Sequence, residues 1–306
     1  VRHRYECPLR WADLDLLGHI NNVRFVDYLQ EARGALLRAC LHAAGVERHE
    51  SDGYVVVRHE VSFVAPLLLG GATVFIDSWV TGIHGATFTL DHEIYRESAD
   101  GDRTVFLRAR TVMAPFVLAT GAPRRISDQE RAALAPYAES GERSRAVQVS
   151  VPREHAVHYP VQVRFSDLDI YRHVNNVLYF EYFQEARIAL FRKLKDALSE
   201  YPRINVVVAR TDLEYVAPIT LRAEPYDCWS IVTAMGGKSM TLEAEIVDGS
   251  TSGARGGVLA RSRCVLVFFD PVTQRSVVPP PGYREAIVEA LGGPLKDSFT
   301  NPSAAG

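Results

Sequence analysis

Two loops hold the residues best suited to chemistry. In the first, Asp13-Leu14-Asp15 is followed by His19 and Asn21-Asn22; in the second, Asp167-Leu168-Asp169 is followed at the same spacing by His173 and Asn175-Asn176. Each string runs into a stretch with helical periodicity. A carboxylate can serve as general base or as attacking group. Backbone amides at a helix start can stabilise a developing oxyanion. A carboxylate just ahead of a helix N-terminus therefore pairs the two functions that acyl transfer requires. Plainer roles compete: Asp bonds loop amides in turns, Asn caps helices, and a buried His can brace a loop. Asp13 and Asp167 read as loop-bonding residues of this kind.

The elements around the strings are also written twice. Arg10 to Arg33 aligns with Arg164 to Arg187 without a gap, roughly half the positions being identical. Val55 to Leu67 matches Val206 to Ile219 with one register adjustment, and Val80 to Ile94 matches Val232 to Ile246. One fold used twice is the reading, rather than a solenoid. Each copy opens on a short strand, around His3 to Arg10 or Val157 to Phe165. The polar loop follows, then a helix whose apolar positions Phe25, Leu29, Ala32, Leu36 and Cys40 recur every three or four residues. The second helix repeats this with Tyr179, Phe183, Ala186 and Leu190. After each helix only strands follow. Tyr54 to Val64, Thr73 to Gly82, Thr87 to Arg96 and Thr104 to Ala114 are rich in Val, Phe, Thr and Tyr, with hairpin turns at Gly82 to Gly85 and Gly236-Gly237. A helix followed by an antiparallel meander is an α+β pattern in which the helix lies across the sheet.

The bulk numbers exclude several classes. The 306 residues suffice for two domains, and 47% hydrophobic with 23% charged residues suits a globular core. A net charge of −3 offers no polyanion-coating surface, so nucleic acid is not an expected partner. Cys7, Cys40, Cys228 and Cys264 are far apart and form no C-x-x-C pair. This argues against a metal site and for a reducing, cytoplasmic setting. No apolar run approaches the ~20 residues of a membrane span. The opening VRHRYECPLRW is charged and aromatic, unlike a signal peptide, and the lack of an initiator Met reads as trimming of a few residues.

A strand ending R-[WF]-x-D-L-D, then H-[IV]-N-N-V, an aromatic helix ending Q-E-A-R, and a meander containing V-A-P resembles the 4-hydroxybenzoyl-CoA thioesterase-like branch of the hot-dog fold. The loop also resembles that of plant acyl-ACP thioesterases, which are double hot-dogs. The resemblance covers nearly all of both halves. It implies a tandem hot-dog fold: two long central helices, each wrapped by an antiparallel sheet, with the sheets joined across a pseudo-two-fold axis into an intrachain pseudo-dimer. It implies a thioesterase that hydrolyses acyl-CoA without a cofactor or metal. By the same resemblance Asp15 and Asp169 are the catalytic carboxylates, and amides near Asn22-Val23 and Asn176-Val177 polarise the thioester carbonyl. His19 and His173 are supporting residues, either catalytic or bracing. The plant enzymes carry an Asn two positions after the Asp, where Leu17 and Tyr171 stand here. That departure favours Asp acting alone with the helix amides.

Further candidates are looser. Glu60 and Asp212, on matching strands before V-A-P, are candidate lining residues or ion-paired carboxylates. Lys238 and Ser239 are candidate substrate-binding residues, with Arg124, Arg125 and Lys238 the cations considered for coenzyme A phosphates. The Q-E-A-R residues read as polar anchors under the strands, and His155 and His158 as solvated loop residues without an acidic partner. Residues 1–116 read as the first hot-dog domain and 117–154 as a linker with a short helix at Asp128 to Leu134. Residues 155–270 read as the second domain. The tail, 271–306, has a short helix near Arg284 to Leu291 and a disordered end from Asp297. Alternatives left open are an acyl-ACP thioesterase, a non-catalytic acyl-CoA-binding hot-dog protein and, ranked below both, a hydratase, which needs a helix His absent here before His42. Further homo-oligomerisation is also open.

Overall fold

The first long helix, α1 (Asn22–Ala43), begins where its sequence supplies a cap: Asn21 Oδ1 accepts the Val23 amide at 2.9 Å. Its stripe of Phe25, Leu29, Ala32, Leu36 and Cys40 is buried throughout. The computed structural model describes residues 1–46, 52–71, 73–142, 144–146, 148–202, 204–249, 257–273 and 275–297. They form two compact units, Val1–Ala146 and Val147–Gly306.

In the first unit the strands are β1 (His3–Cys7), β2 (Asp52–Phe63), β3 (Val74–Ile83), β4 (Phe88–Glu97) and β5 (Arg103–Val117), in the sheet order β1-β3-β4-β5-β2 with every pairing antiparallel. A two-residue strand, β6 (Ala122–Pro123), adds to β5. The helix α2 (Asp128–Leu134) starts in a capping box: Ser127 Oγ accepts the Glu130 amide, and the Glu130 carboxylate accepts the Ser127 amide at 2.8 Å. Ile126, Ala133 and Leu134 pack in one cluster with Leu36 and Cys40 of α1 and Phe88, Leu90 and Met113 of the sheet. The stretch read as linker thus supplies core to the first unit. Arg124 is committed there, donating to both Glu130 oxygens at 2.8 and 2.9 Å. Burial pushes the Glu130 carboxyl up, but bonds from Arg124, Tyr54 and Ser127 outweigh it and hold the group at about 2.

The second unit repeats the plan with β7 (Val157–Val161), α3 (Leu178–Leu194), β8 (Asn205–Tyr215), β9 (Tyr226–Met235), β10 (Ser239–Val247) and β11 (Val258–Asp270). The order is β7-β9-β10-β11-β8; β12 (Arg275–Ser276) adds to β11. The helix α4 (Tyr283–Leu291) precedes β13 (Lys296–Asp297), which runs parallel to β9. Tyr283, Ile287 and Leu291 pack with Leu190, Leu194, Met240 and Phe268. α2 and α4 are therefore one repeated element, closing the far end of the long helix in each unit. Of the end expected to be disordered from Asp297, Asp297 itself is ordered in β13 and the rest lies outside the described residues.

The register adjustment expected between the copies is not needed. A bulge opens at the same place in each: pairing shifts between Val56 and Arg58 in β2, and between Val265 and Leu266 opposite β8. The skipped residues, Val57 and Ala209, correspond, so β2 and β8 match residue for residue with Val55 at the place of Val207.

Candidate functional site

The first Asp of each Asp-Leu-Asp string ends a one-turn 3-10 helix, Trp11–Asp13 or Phe165–Asp167, and the second lies in the tight loop that delivers the chain to the long helix. The first Asp of each pair turns inward. Asp13 is buried and accepts from Tyr28 Oη at 2.6 Å and from Arg10 at 2.8 and 3.1 Å. Burial pushes its carboxyl up, yet the Arg10 and Tyr28 bonds prevail and hold it below the ordinary carboxylate range. Asp167 is likewise buried, accepting from Tyr182 Oη at 2.7 Å and from the Arg164 amide at 2.9 Å. The loop amides expected to bond Asp13 do not do so; helix tyrosines reach down from above instead. A Tyr fifteen residues after this Asp in both copies was the readable signal.

The second Asp of each pair is half-buried and organises its own loop. Asp15 Oδ1 accepts the amides of Leu17 at 2.8 Å and His19 at 3.1 Å, while its own amide donates to His19 O at 2.7 Å. Asp169 Oδ1 does the same with Tyr171 at 2.8 Å and His173 at 3.3 Å. Oδ2 of each takes no hydrogen bond among the described residues. One oxygen of each carboxylate is thus anchored by two loop amides. His19 and His173 are held by their backbones, pairing with Leu68 and Thr220 respectively. Their rings make no hydrogen bond among the described residues.

The helix amides divide unequally. Those of Val23 and Val177 are occupied by Asn21 Oδ1 and Asn175 Oδ1, at 2.9 and 3.0 Å. Among the described residues the Asn22 amide has no partner, which makes it the available donor at the start of α1. At the corresponding place in the second unit, Asn176 O accepts Tyr215 Oη at 2.7 Å. Apolar side chains stand exposed around both loops: Trp11, Leu16, Leu17 and Leu68 in one, Phe165 and Ile170 in the other.

Glu60 accepts from Ser144 Oγ, and Asp212 accepts from Arg210 at 2.8 and 3.0 Å. Lys238 and Ser239 belong to the β9–β10 hairpin, where Ser239 O accepts the Gly236 amide. The loop of Asp169 lies by Ile219 and Thr220, ahead of the opposite end of β9; the strand between spans about 30 Å at ~3.3 Å per residue. The structure does not bring these two residues to that loop. Of the Q-E-A-R residues, Glu31 and Glu185 are exposed rather than anchoring the strands, and Arg33 is buried. His158 does have an acidic partner: its Nε2 lies 2.7 Å from Asp227 on β9. No cluster of metal-binding side chains occurs among the described residues.

A family profile described as the thioesterase-like superfamily matches residues 9–135 and 163–289, once per unit. The solved structure of an oleoyl thioesterase (putative) from Lactobacillus plantarum superposes with a TM-score of 0.67 at 15% identity, covering 88% of this chain and 97% of that one. An acyl-ACP thioesterase from Bacteroides thetaiotaomicron VPI-5482 gives 0.62 at 15% identity, covering 87% and 97%. The 12:0-ACP thioesterase of Umbellularia californica gives 0.62 at 15% identity, covering 87% and 94%. At such identity these show the shared tandem hot-dog fold. Among curated sequences, uncharacterised protein YsmA of Bacillus subtilis (strain 168) is 39% identical over 85 residues, 27% of this chain and 54% of that protein. The match spans about half that relative's length.

Proposed function

The chain belongs to the thioesterase-like superfamily, and from that premise we propose that it hydrolyses acyl-CoA thioesters to free acid and coenzyme A. The observation carrying this reading is the loop geometry around Asp15 and Asp169, with Oδ1 fixed by two amides and Oδ2 unoccupied. Acting as base, Oδ2 takes a proton from water as the water oxygen attacks the thioester carbonyl. The oxyanion is met by the first helix amide, that of Asn22 in the first unit. The C–S bond then breaks, and the thiolate recovers the proton from the carboxylic acid. Direct attack by the carboxylate is the other route open to the same group. His19 and His173 support the loop, and Asn21 and Asn175 shape the helix starts. The exposed apolar residues beside each Asp suit an acyl substrate. The mild net charge of −3 favours coenzyme A over an acidic carrier protein. Four buried, unpaired cysteines support a reducing, cytoplasmic setting. Among the described residues no helix is long and apolar enough to cross a membrane.

Thiol release from a panel of short, long and aromatic acyl-CoAs, with acyl-ACP included, tests the substrate class. With the best thioester, Asp15→Asn and Asp169→Asn each retain a substantial share of turnover, and the double variant loses nearly all of it. A fully active double variant overturns the assignment. One single variant that abolishes turnover while the other leaves it untouched means that one site works.

A further inference from the structure

The two copies treat one position in opposite ways. In the second unit Arg222, in the loop after Val-Ala-Pro, lies 3.6 Å above the Tyr226 ring and donates to Asp248 at 2.8 Å. It also donates to the carbonyls of Glu224 and Pro225, both at 2.9 Å, so the space between loop and sheet is filled from within. In the first unit the matching residues are Gly70 for Arg222, Val74 for Tyr226 and Arg96 for Asp248. The plug is gone, and the strand position carries a cation where its counterpart carries an anion.

A cavity of ≈ 630 Å³ opens there, lined by Pro8, Leu9, Leu69, Val74, the two glycines and Arg96. That size suits a small organic ligand. Gly70 and Gly71 hold φ of +90° and +82°, and a Cβ on Gly71 would come within 3.4 Å of Arg96 Nη1. A side chain there would crowd the guanidinium. Neighbouring strand arginines are neutralised: Arg103 by Asp77 and Glu97, Arg108 by Glu93, Arg110 by Asp91. Arg96 faces no carboxylate among the described residues. It donates to Leu68 O at 2.8 Å, and burial lowers its pKa below the ordinary value, so the charge is partly stripped of water without a counter-charge. Glu6, which also lines the cavity, is exposed and makes no ion pair with it.

We infer that the cavity between Gly70-Gly71 and Arg96 binds a small carboxylate with an apolar body, whose anionic head completes the ion pair that Asp248 completes internally in the second unit. Arg96 takes the head, and Pro8, Leu9, Leu69 and Val74 take the body. Nothing in this assignment depends on thioester hydrolysis.

Calorimetric titration of the full chain with sodium octanoate reads it directly. Saturable binding is expected, weakened about tenfold or more in Arg96→Gln, as befits the loss of a charge-assisted bond. Thr73→Glu, at an exposed residue lining the cavity, offers an internal carboxylate and should weaken binding equally. Matching melting temperatures show that both variants fold. Binding should persist in the Asp15→Asn, Asp169→Asn double variant, and inorganic phosphate should not compete. Absence of saturable binding, affinity unchanged in both cavity variants, loss in the Asp double variant, or displacement by phosphate overturns the inference.

Discussion

At the apex of the first loop stands Gly18 with φ +76°, and at the same place in the second stands Arg172 with φ +62°. Around these loops, Phe25 meets Phe63 edge to face, whereas Tyr179 meets Tyr215 in the same arrangement with two hydroxyls added. Those hydroxyls are used: Tyr179 accepts the Ile219 amide at 3.0 Å, and Tyr215 donates to Asn176 O. Deeper in the sheet, His92 bonds Ser78 at 2.8 Å, while the second copy has Ala244 and, among the described residues, no partner for the buried Ser230 Oγ. Yet Asp15 and Asp169 make the same bonds. The loop conformation is therefore set by the Asp-to-amide bonds, and what has diverged is the support behind it. The copies should differ in stability and pH response more than in loop geometry.

The largest contrast is expected at the buried carboxylates. Asp13→Ala removes a bidentate Arg10 pair and orphans the buried Tyr28 hydroxyl, and should cost ~3 kcal/mol. Asp167→Ala orphans Tyr182 and one amide but breaks no side-chain ion pair, and should cost ~2 kcal/mol. Urea unfolding of the two variants orders them; equal costs would show that the Arg10 pair contributes nothing net.

A pH experiment sharpens the same comparison. Burial, then the nearby charge of Arg33, lowers His92 from 6.5 to about 3. Between those values the unfolded chain binds a proton that the folded chain refuses. His92 therefore leaves stability undiminished above 6.5 and erodes it as pH falls through the window. The loss should reach about 2 kcal/mol by pH ~5. His92→Ala, which copies Ala244, should flatten this limb in denaturant titrations between neutral pH and pH ~5. An unchanged slope would mean that His92 is not the group responsible.

The same contrasts separate features that the amino-acid sequence makes legible from those that depend on packing. Helix stripes and strand alternation located α1, α3 and both meanders, because apolar periodicity reports burial directly. The unity of α2 and α4 was missed because Asp128-Gln129-Glu130 and Tyr283-Arg284-Glu285 share only a Glu, and what they share otherwise is a place to pack. The repeated string marked Asp15 and Asp169 as equivalent positions, and the two carboxylates make matching amide bonds. That Asn21 occupies the Val23 amide and leaves the one before it was not legible, since capping geometry turns on a single residue of register. Nor was the placement of Lys238 and Ser239, whose distance from Asp169 depends on which end of β9 each loop joins.

Tyr215→Phe should open the start of α3. Losing the bond to Asn176 O costs about 1 kcal/mol. In an Asp15→Asn background, where the second copy alone reports, turnover should fall severalfold. Phe63→Tyr should bring no comparable gain in an Asp169→Asn background, because α1 already starts regularly at Asn22. Loss of turnover from Tyr215→Phe in the Asp169→Asn background instead would show that Tyr215 serves the first site.

The smallest expected effect lies at the loop apices. A non-glycine residue in the left-handed region pays about 1–2 kcal/mol relative to Gly. Arg172 carries that strain, and Gly18 does not. Arg172→Gly removes it but also loosens the unfolded chain, which returns about 0.4–1 kcal/mol. The net gain should be ~0.5 kcal/mol, and Gly18→Arg should cost a similar amount by the reverse argument. Both residues sit in loops stitched by an Asp, so backbone bonds are the same before and after substitution. Reciprocal shifts in urea midpoint at unchanged m-value therefore isolate the backbone term. If Arg172→Gly destabilises instead, the Arg172 side chain holds the second loop through its own contacts, and the copies differ at the apex in more than strain.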